Sequence, residues 1–149
     1  MNVVIEIDDF KIEHAFFTPP VKNLVIEESS FIKLIYSNSI TSLNCIYIQV
    51  PIRILYIERY FNKLKYSFDN NDFHNREILE KLYLIEKAIL GKINIKSEPV
   101  LHLYNKLSSG VIKMDTEREH INVPDRCVLL KISGVWETKH NYGLTFKFV

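Results

Sequence analysis

Residues 43–57 read Leu-Asn-Cys-Ile-Tyr-Ile-Gln-Val-Pro-Ile-Arg-Ile-Leu-Tyr-Ile, the stretch with the clearest period of two in the chain. Ile46, Ile48, Val50, Ile52 and Ile54 fall on one side of an extended segment. Tyr47, Gln49, Pro51 and Arg53 fall on the other. Such alternation marks a strand with one face in a core and one toward solvent. Pro51 has no amide hydrogen to give a ladder, so the strand is expected to bulge there or to lie at a sheet edge. The isoleucine face is read as core and the Tyr/Gln/Arg face as a working surface.

Working outward, the segments on both sides are also extended. On the N-terminal side, Val3, Ile5 and Ile7 share one face of a short first strand, and Thr18-Pro19-Pro20 then interrupts regular structure. Residues 22–27 and 31–36 flank Glu28-Ser29-Ser30 as a hairpin, and Ser37-Asn38-Ser39 marks a turn. C-terminal to the quoted stretch, Asn70-Asn71-Asp72 opens a helix over residues 73–90, with Asp72 or Asn75 as N-cap. Ile78, Leu82, Ile85 and Ile89 give it one apolar stripe, Glu77 and Lys81 are spaced as an i,i+4 pair, and Gly91 is placed as its left-handed stop. Residues 100–107 fit a short helix or a strand, 110–114 a short strand, and 115–122 a charged loop. A long hairpin closes the chain. Leu130, Ile132 and Trp136 share one side of its first strand, the turn spans 137–141, and Tyr142, Leu144, Phe146 and Phe148 share one side of its second. Gly134 and Gly143 are read as a bulge or close backbone approach.

Strands, one main helix and strands again predict an α+β, β-rich fold. It is expected to be an OB-like antiparallel barrel, or an open antiparallel sheet with the helix on one face. With 149 residues and no repeat or Gly/Ser linker, one domain over residues 1–149 is expected. Cys45 and Cys127 sit in apolar runs and read as free thiols of a reducing compartment. The N-terminal stretch has no basic region before its apolar residues, and no run is long enough to span a bilayer. An intracellular protein without a membrane partner is expected.

Composition excludes several chemistries. Four glycines write neither a phosphate loop nor a dinucleotide fingerprint. The five histidines are scattered without metal spacing, and Glu117 with His120 reads as solvated charge. The serines lack a nucleophile elbow. The expectation is a non-enzyme with no metal and no cofactor; a catalytic site would have to be assembled from distant residues.

The net charge is only +1, so any basic surface must be local; residues 76–149 carry the surplus of cations and residues 1–75 a small surplus of acids. Residues 53–68 concentrate the useful chemistry. Arg53, Arg59, Lys63 and Lys65 interleave with Tyr56, Tyr60, Phe61 and Tyr66 against a single Glu58. Cations that follow phosphates, beside aromatic faces that stack on any base, are what single-stranded nucleic acid requires. In this reading Arg53, Arg59, Lys63 and Lys65 neutralise phosphates, Lys131 and Lys147 extend the track, and Tyr47, Tyr60 and Tyr66 stack.

The ending Leu-Leu-Lys-Ile-Ser-Gly-Val-Trp-Glu (129–137) followed by Tyr-Gly-Leu-Thr-Phe-Lys-Phe (142–148) resembles the C-terminal hairpin of small single-stranded-DNA-binding proteins of viruses with DNA genomes. Leu84-Ile85-Glu86-Lys87-Ala88-Ile89-Leu90 adds a fainter similarity. The resemblance implies an OB-like barrel that coats exposed strands during DNA replication or recombination, in the cytoplasm or nucleus of a host cell. The near-neutral charge departs from that pattern. The alternative expectation is a protein–protein interaction module, a viral or mobile-element accessory factor whose exposed aromatics anchor a partner. A homodimer or higher oligomer is compatible with either.

Overall fold

The chain does not run straight through Pro51. The computed structural model describes residues 3–22, 28–115 and 128–149. Its strands and helices, in chain order, are β1 (Val4–Glu6), β2 (Ala15–Phe17), β3 (Val21–Lys22), β4 (Ser30–Ser37), β5 (Ser42–Leu43), β6 (Ile46–Val50), β7 (Ile54–Tyr60), β8 (Lys63–Phe68), α1 (Phe73–Lys92), β9 (Glu98–Val100), α2 (His102–Leu107), β10 (Val111–Asp115), β11 (Val128–Glu137) and β12 (Asn141–Phe148). The strand expected over residues 43–57 is thus split, and its halves β6 and β7 belong to different sheets. Most of the expected 22–27 strand and 115–122 loop, with Glu117, His120 and Cys127, lies outside the described residues.

The split has a local cause. Pro51 gives no ladder hydrogen bond, and the Ile52 amide turns back to donate to the Val50 carbonyl at 2.9 Å. Beyond that tight turn, the Asn75 side chain takes the place of a neighbouring strand. Its Oδ1 accepts from the Arg53 amide at 2.8 Å, and its Nδ2 donates to the Arg53 carbonyl at 3.2 Å and the Asp69 carbonyl at 3.0 Å. His74 Nε2 lies 2.7 Å from the Pro51 carbonyl. The crossing between sheets is therefore fastened to the first turn of α1, where Asp72 caps by accepting from the Asn75 amide.

The larger sheet is built on β11. One edge pairs antiparallel with β12; the other is shared, β6 taking residues 128–132 and β4 taking 134–137. β1 adds to β6 and β9 to β12, both in parallel, while β2, β3 and β5 pair with β4. The second sheet is the antiparallel set β10–β8–β7. Both sheets are open, so the fold is α+β and β-rich, with two α-helices among the described residues; it is not the closed barrel that sequence allowed, nor is its main sheet purely antiparallel. One continuous apolar core joins both sheets to α1 and α2. Ile78, Leu82, Ile85 and Ile89 are all buried in it.

Three local expectations are corrected. Gly91 is not a left-handed stop; α1 runs through it to Lys92. Lys81 ion-pairs with Asp8 at 2.8 Å, rather than chiefly with Glu77. Trp136 does not share a side with Leu130 and Ile132, because a register shift between Ile132 and Gly134 reverses the alternation. Val135 then takes the core side, fully buried, and the half-buried indole lies over Gly143 on the outer side.

Among the described residues no helix is long and apolar enough to cross a membrane. Residues 100–107 resolve into the end of β9 followed by α2, whose N-terminus is capped from a distance. Glu86, fully buried on α1, accepts from the Leu103 and Tyr104 amides at 2.8 and 3.0 Å. Burial pushes its carboxyl above the ordinary glutamate value, and the two amides only partly offset that. A carboxyl raised on folding stabilises fully below its unfolded value and loses that contribution as pH rises through its folded value. Stability is therefore expected to increase between pH 7 and about 4.3, the unfolded reference for glutamate. Glu86→Gln should flatten that part of the profile when urea midpoints are compared across the range.

Candidate nucleic-acid interface

Alternation in β8 decides which side chains can meet a ligand. Leu64, Tyr66 and Phe68 point into the core; Lys63 and Lys65 lie on the other side with Ser67, which is itself buried. Register then assigns the neighbours. Tyr60 stands opposite Lys63, Glu58 opposite Lys65, and Tyr56 opposite Ser67; on the other edge Lys113 faces Lys65 and Asp115 faces Lys63. The outer face of the small sheet thus carries two tyrosines, 53% and 42% exposed at Tyr56 and Tyr60, among three lysines and two acids. Lys63 ion-pairs with Asp115. That ammonium, with a lesser contribution from Lys147, holds the Asp115 carboxyl below its usual range.

The β7–β8 hairpin ends in a two-residue turn at Phe61 and Asn62. Phe61 has φ of 52°, a left-handed backbone unfavourable for a bulky residue, and its ring is 98% exposed. Its ring is too exposed to stabilise the fold by burial. It extends the row of exposed aromatics beyond Tyr60.

The structure brings together Tyr60, Lys63 and Lys65 from the sequence-derived set, and separates the others. Tyr66 is 2% exposed and Tyr47 3%, so neither ring offers a face to a base. Tyr47 packs with Leu129 and Val149 beneath the Lys131 ammonium, 5.6 Å from the ring centroid. Arg53 is exposed but lies in the crossing between sheets, and Arg59 shares the Leu64 and Met114 side of the small sheet. Lys131 and Lys147 are opposite one another on the outer side of the larger sheet. β10 and β12 are in contact, and Lys147 lies within electrostatic reach of Asp115.

Tyr56 and Lys113 belong to the face but not to the sequence-derived set. Lys113 was readable, since Ile112 and Met114 flank it with opposite parity. Tyr56 stood only among the aromatics of residues 53–68, since its parity with Ile54 points inward; a bulge between Ile54 and Tyr56 shifts the register and moves it outward.

The chain matches no protein-family model, no curated protein and no solved structure.

Proposed function

We propose that the protein binds single-stranded nucleic acid without catalysis, coating exposed strands in replication or recombination. The observation that carries this reading is the outer face of the small sheet. There Tyr56 and Tyr60 are exposed among Lys63, Lys65 and Lys113, with Phe61 at the tip. Strands there lie about 4.8 Å apart, so cations on β8 and β10 run beside aromatics on β7 at a spacing suited to a stacked backbone. Lys131 and Lys147, opposite each other on the larger sheet, add a second basic pair, with Lys147 within electrostatic reach of Asp115.

The reading is tested by fluorescence anisotropy with a labelled mixed-sequence oligonucleotide, single-stranded beside duplex. Three neutralising lysines give a salt slope of roughly −2 for a single strand, so affinity should fall about twentyfold between 50 and 200 mM salt. Tyr60→Ala should weaken binding about tenfold or more, and Tyr60→Phe should retain it, because the ring stacks whether or not it carries a hydroxyl. Duplex preferred over single strand, or no binding at low salt, would sink the proposal. Glu58 and Asp115, set among the lysines, favour the second reading, a protein partner anchored on the same aromatics. Association that survives moderate salt would select it.

A further inference from the structure

Lys65 and Lys113 are directly opposite each other across β8 and β10. Like charges in that position disfavour pairing, so the fold gains nothing from their juxtaposition. A third cationic residue, Lys106 from the last turn of α2, lines the same cleft. The cleft has a volume of about 490 Å³ and is completed by Ser109, Val111, Ile112 and Phe148. No carboxylate lines it, and among the described residues none of the three lysines makes an ion pair within 4.0 Å. Lys106 is steadied over the Phe146 ring, its ammonium 5.6 Å from the centroid. Its helix is held at the other end by Glu86. The turn from α2 into β10 requires Gly110, whose φ is +77° and where a Cβ would lie 3.0 Å from the Phe68 carbonyl oxygen.

We propose that this cleft is a nucleotide-phosphate subsite. Three lysines lining one cleft supply the charge an anionic phosphate requires, and Val111 and Phe148 offer an apolar side to a sugar or base. The volume exceeds what a bare inorganic anion needs and falls in the ordinary range for small-molecule sites, about 300–1,000 Å³. The inference shares Lys65 and Lys113 with the proposed strand-binding face, but it rests on the cleft that Lys106 completes and can stand without that face. The phosphate can belong to a strand crossing the β10 edge or to a free nucleotide.

Thymidine 5′-monophosphate and thymidine distinguish the phosphate from the base in a calorimetric titration. The monophosphate should bind at least tenfold more tightly than the nucleoside, and Lys106→Gln with Lys113→Gln should remove that difference, while Lys139→Gln in the exposed 138–141 turn leaves it unchanged. The double variant should melt close to the wild type, because relief of the like-charge pair offsets the lost Lys106–Phe146 contact; this separates lost binding from lost folding. Competition with a labelled oligonucleotide then assigns the source. Mutual displacement identifies a strand phosphate, and simultaneous binding a free nucleotide, either in accord with the subsite. Monophosphate and nucleoside binding equally, or the double variant retaining the difference, would overturn it. Strand binding with no difference between monophosphate and nucleoside leaves the proposed function intact and removes only this subsite. A bound monophosphate with no strand binding does the reverse.

Discussion

Asn75→Ala is expected to destabilise the protein by about 4 kcal/mol, among the largest effects open to a single polar substitution here. The side chain is 1% exposed and serves three backbone groups: the Arg53 amide, the Arg53 carbonyl and the Asp69 carbonyl. Alanine leaves all three without their partner at a partly buried crossing, and each such group costs roughly 1–3 kcal/mol. The Asp72 cap survives, since it receives the backbone amide of residue 75 rather than its side chain. Asn75→Asp keeps the acceptor for the Arg53 amide but loses both donated bonds, so it should also be strongly destabilising. Equilibrium urea unfolding decides the matter. A midpoint within experimental error of the wild type for Asn75→Ala would mean that Pro51 alone sets the crossing.

Gly134→Ala is the second large effect, about 3 kcal/mol of destabilisation. A Cβ there would lie 2.1 Å from the Ile32 carbonyl oxygen and 2.9 Å from the Phe31 ring. The ring can swing aside, but the carbonyl belongs to the β4 backbone beside the Gly134–Lys33 register pair. Relief therefore requires β4 to draw back from β11. Gly91→Ala is the matched control: nothing lies within 4 Å of a Cβ at that position, and it sits inside α1. Alanine there should stabilise by about 0.5–1 kcal/mol through helix propensity. Thermal melts of the two variants should move in opposite directions, and equal shifts would refute the account of Gly134.

The contrast between those glycines shows what was legible in the linear sequence. Turn and helix residues carry their reasons locally, so α1, its Asp72 cap and its isoleucine–leucine stripe could be read directly. So could the closing hairpin, whose alternation spans two long strands. Interruptions of alternation were harder. Parity is unbroken from Ile46 to Ile54, yet the chain changes sheet between them, because the partner that bends it, Asn75, lies more than twenty residues away in sequence. Bulges hid two further features: one turned Trp136 outward and the other brought Tyr56 to the exposed face. Tyr66 is different, since Leu64 and Phe68 already gave its inward parity. Gathering residues 53–68 by composition overrode that signal and counted a core ring as a stacking one. The Lys65–Lys106–Lys113 cleft was hidden for another reason: it joins β8, α2 and β10, segments that composition treats separately.

The two-strand occupancy of one β11 edge also orders events during synthesis. β4 and β6 meet no common partner until residues 128–137 have left the ribosome, and β1 reaches the sheet only through β6. By then the hairpin β7–β8 and helix α1, both built from local contacts, have long been available to fold. A nascent chain therefore carries the apolar sides of β4 and β6 without their central strand for most of translation. This interval is when the chain is open to wrong pairings, whether with a neighbouring nascent chain or with itself.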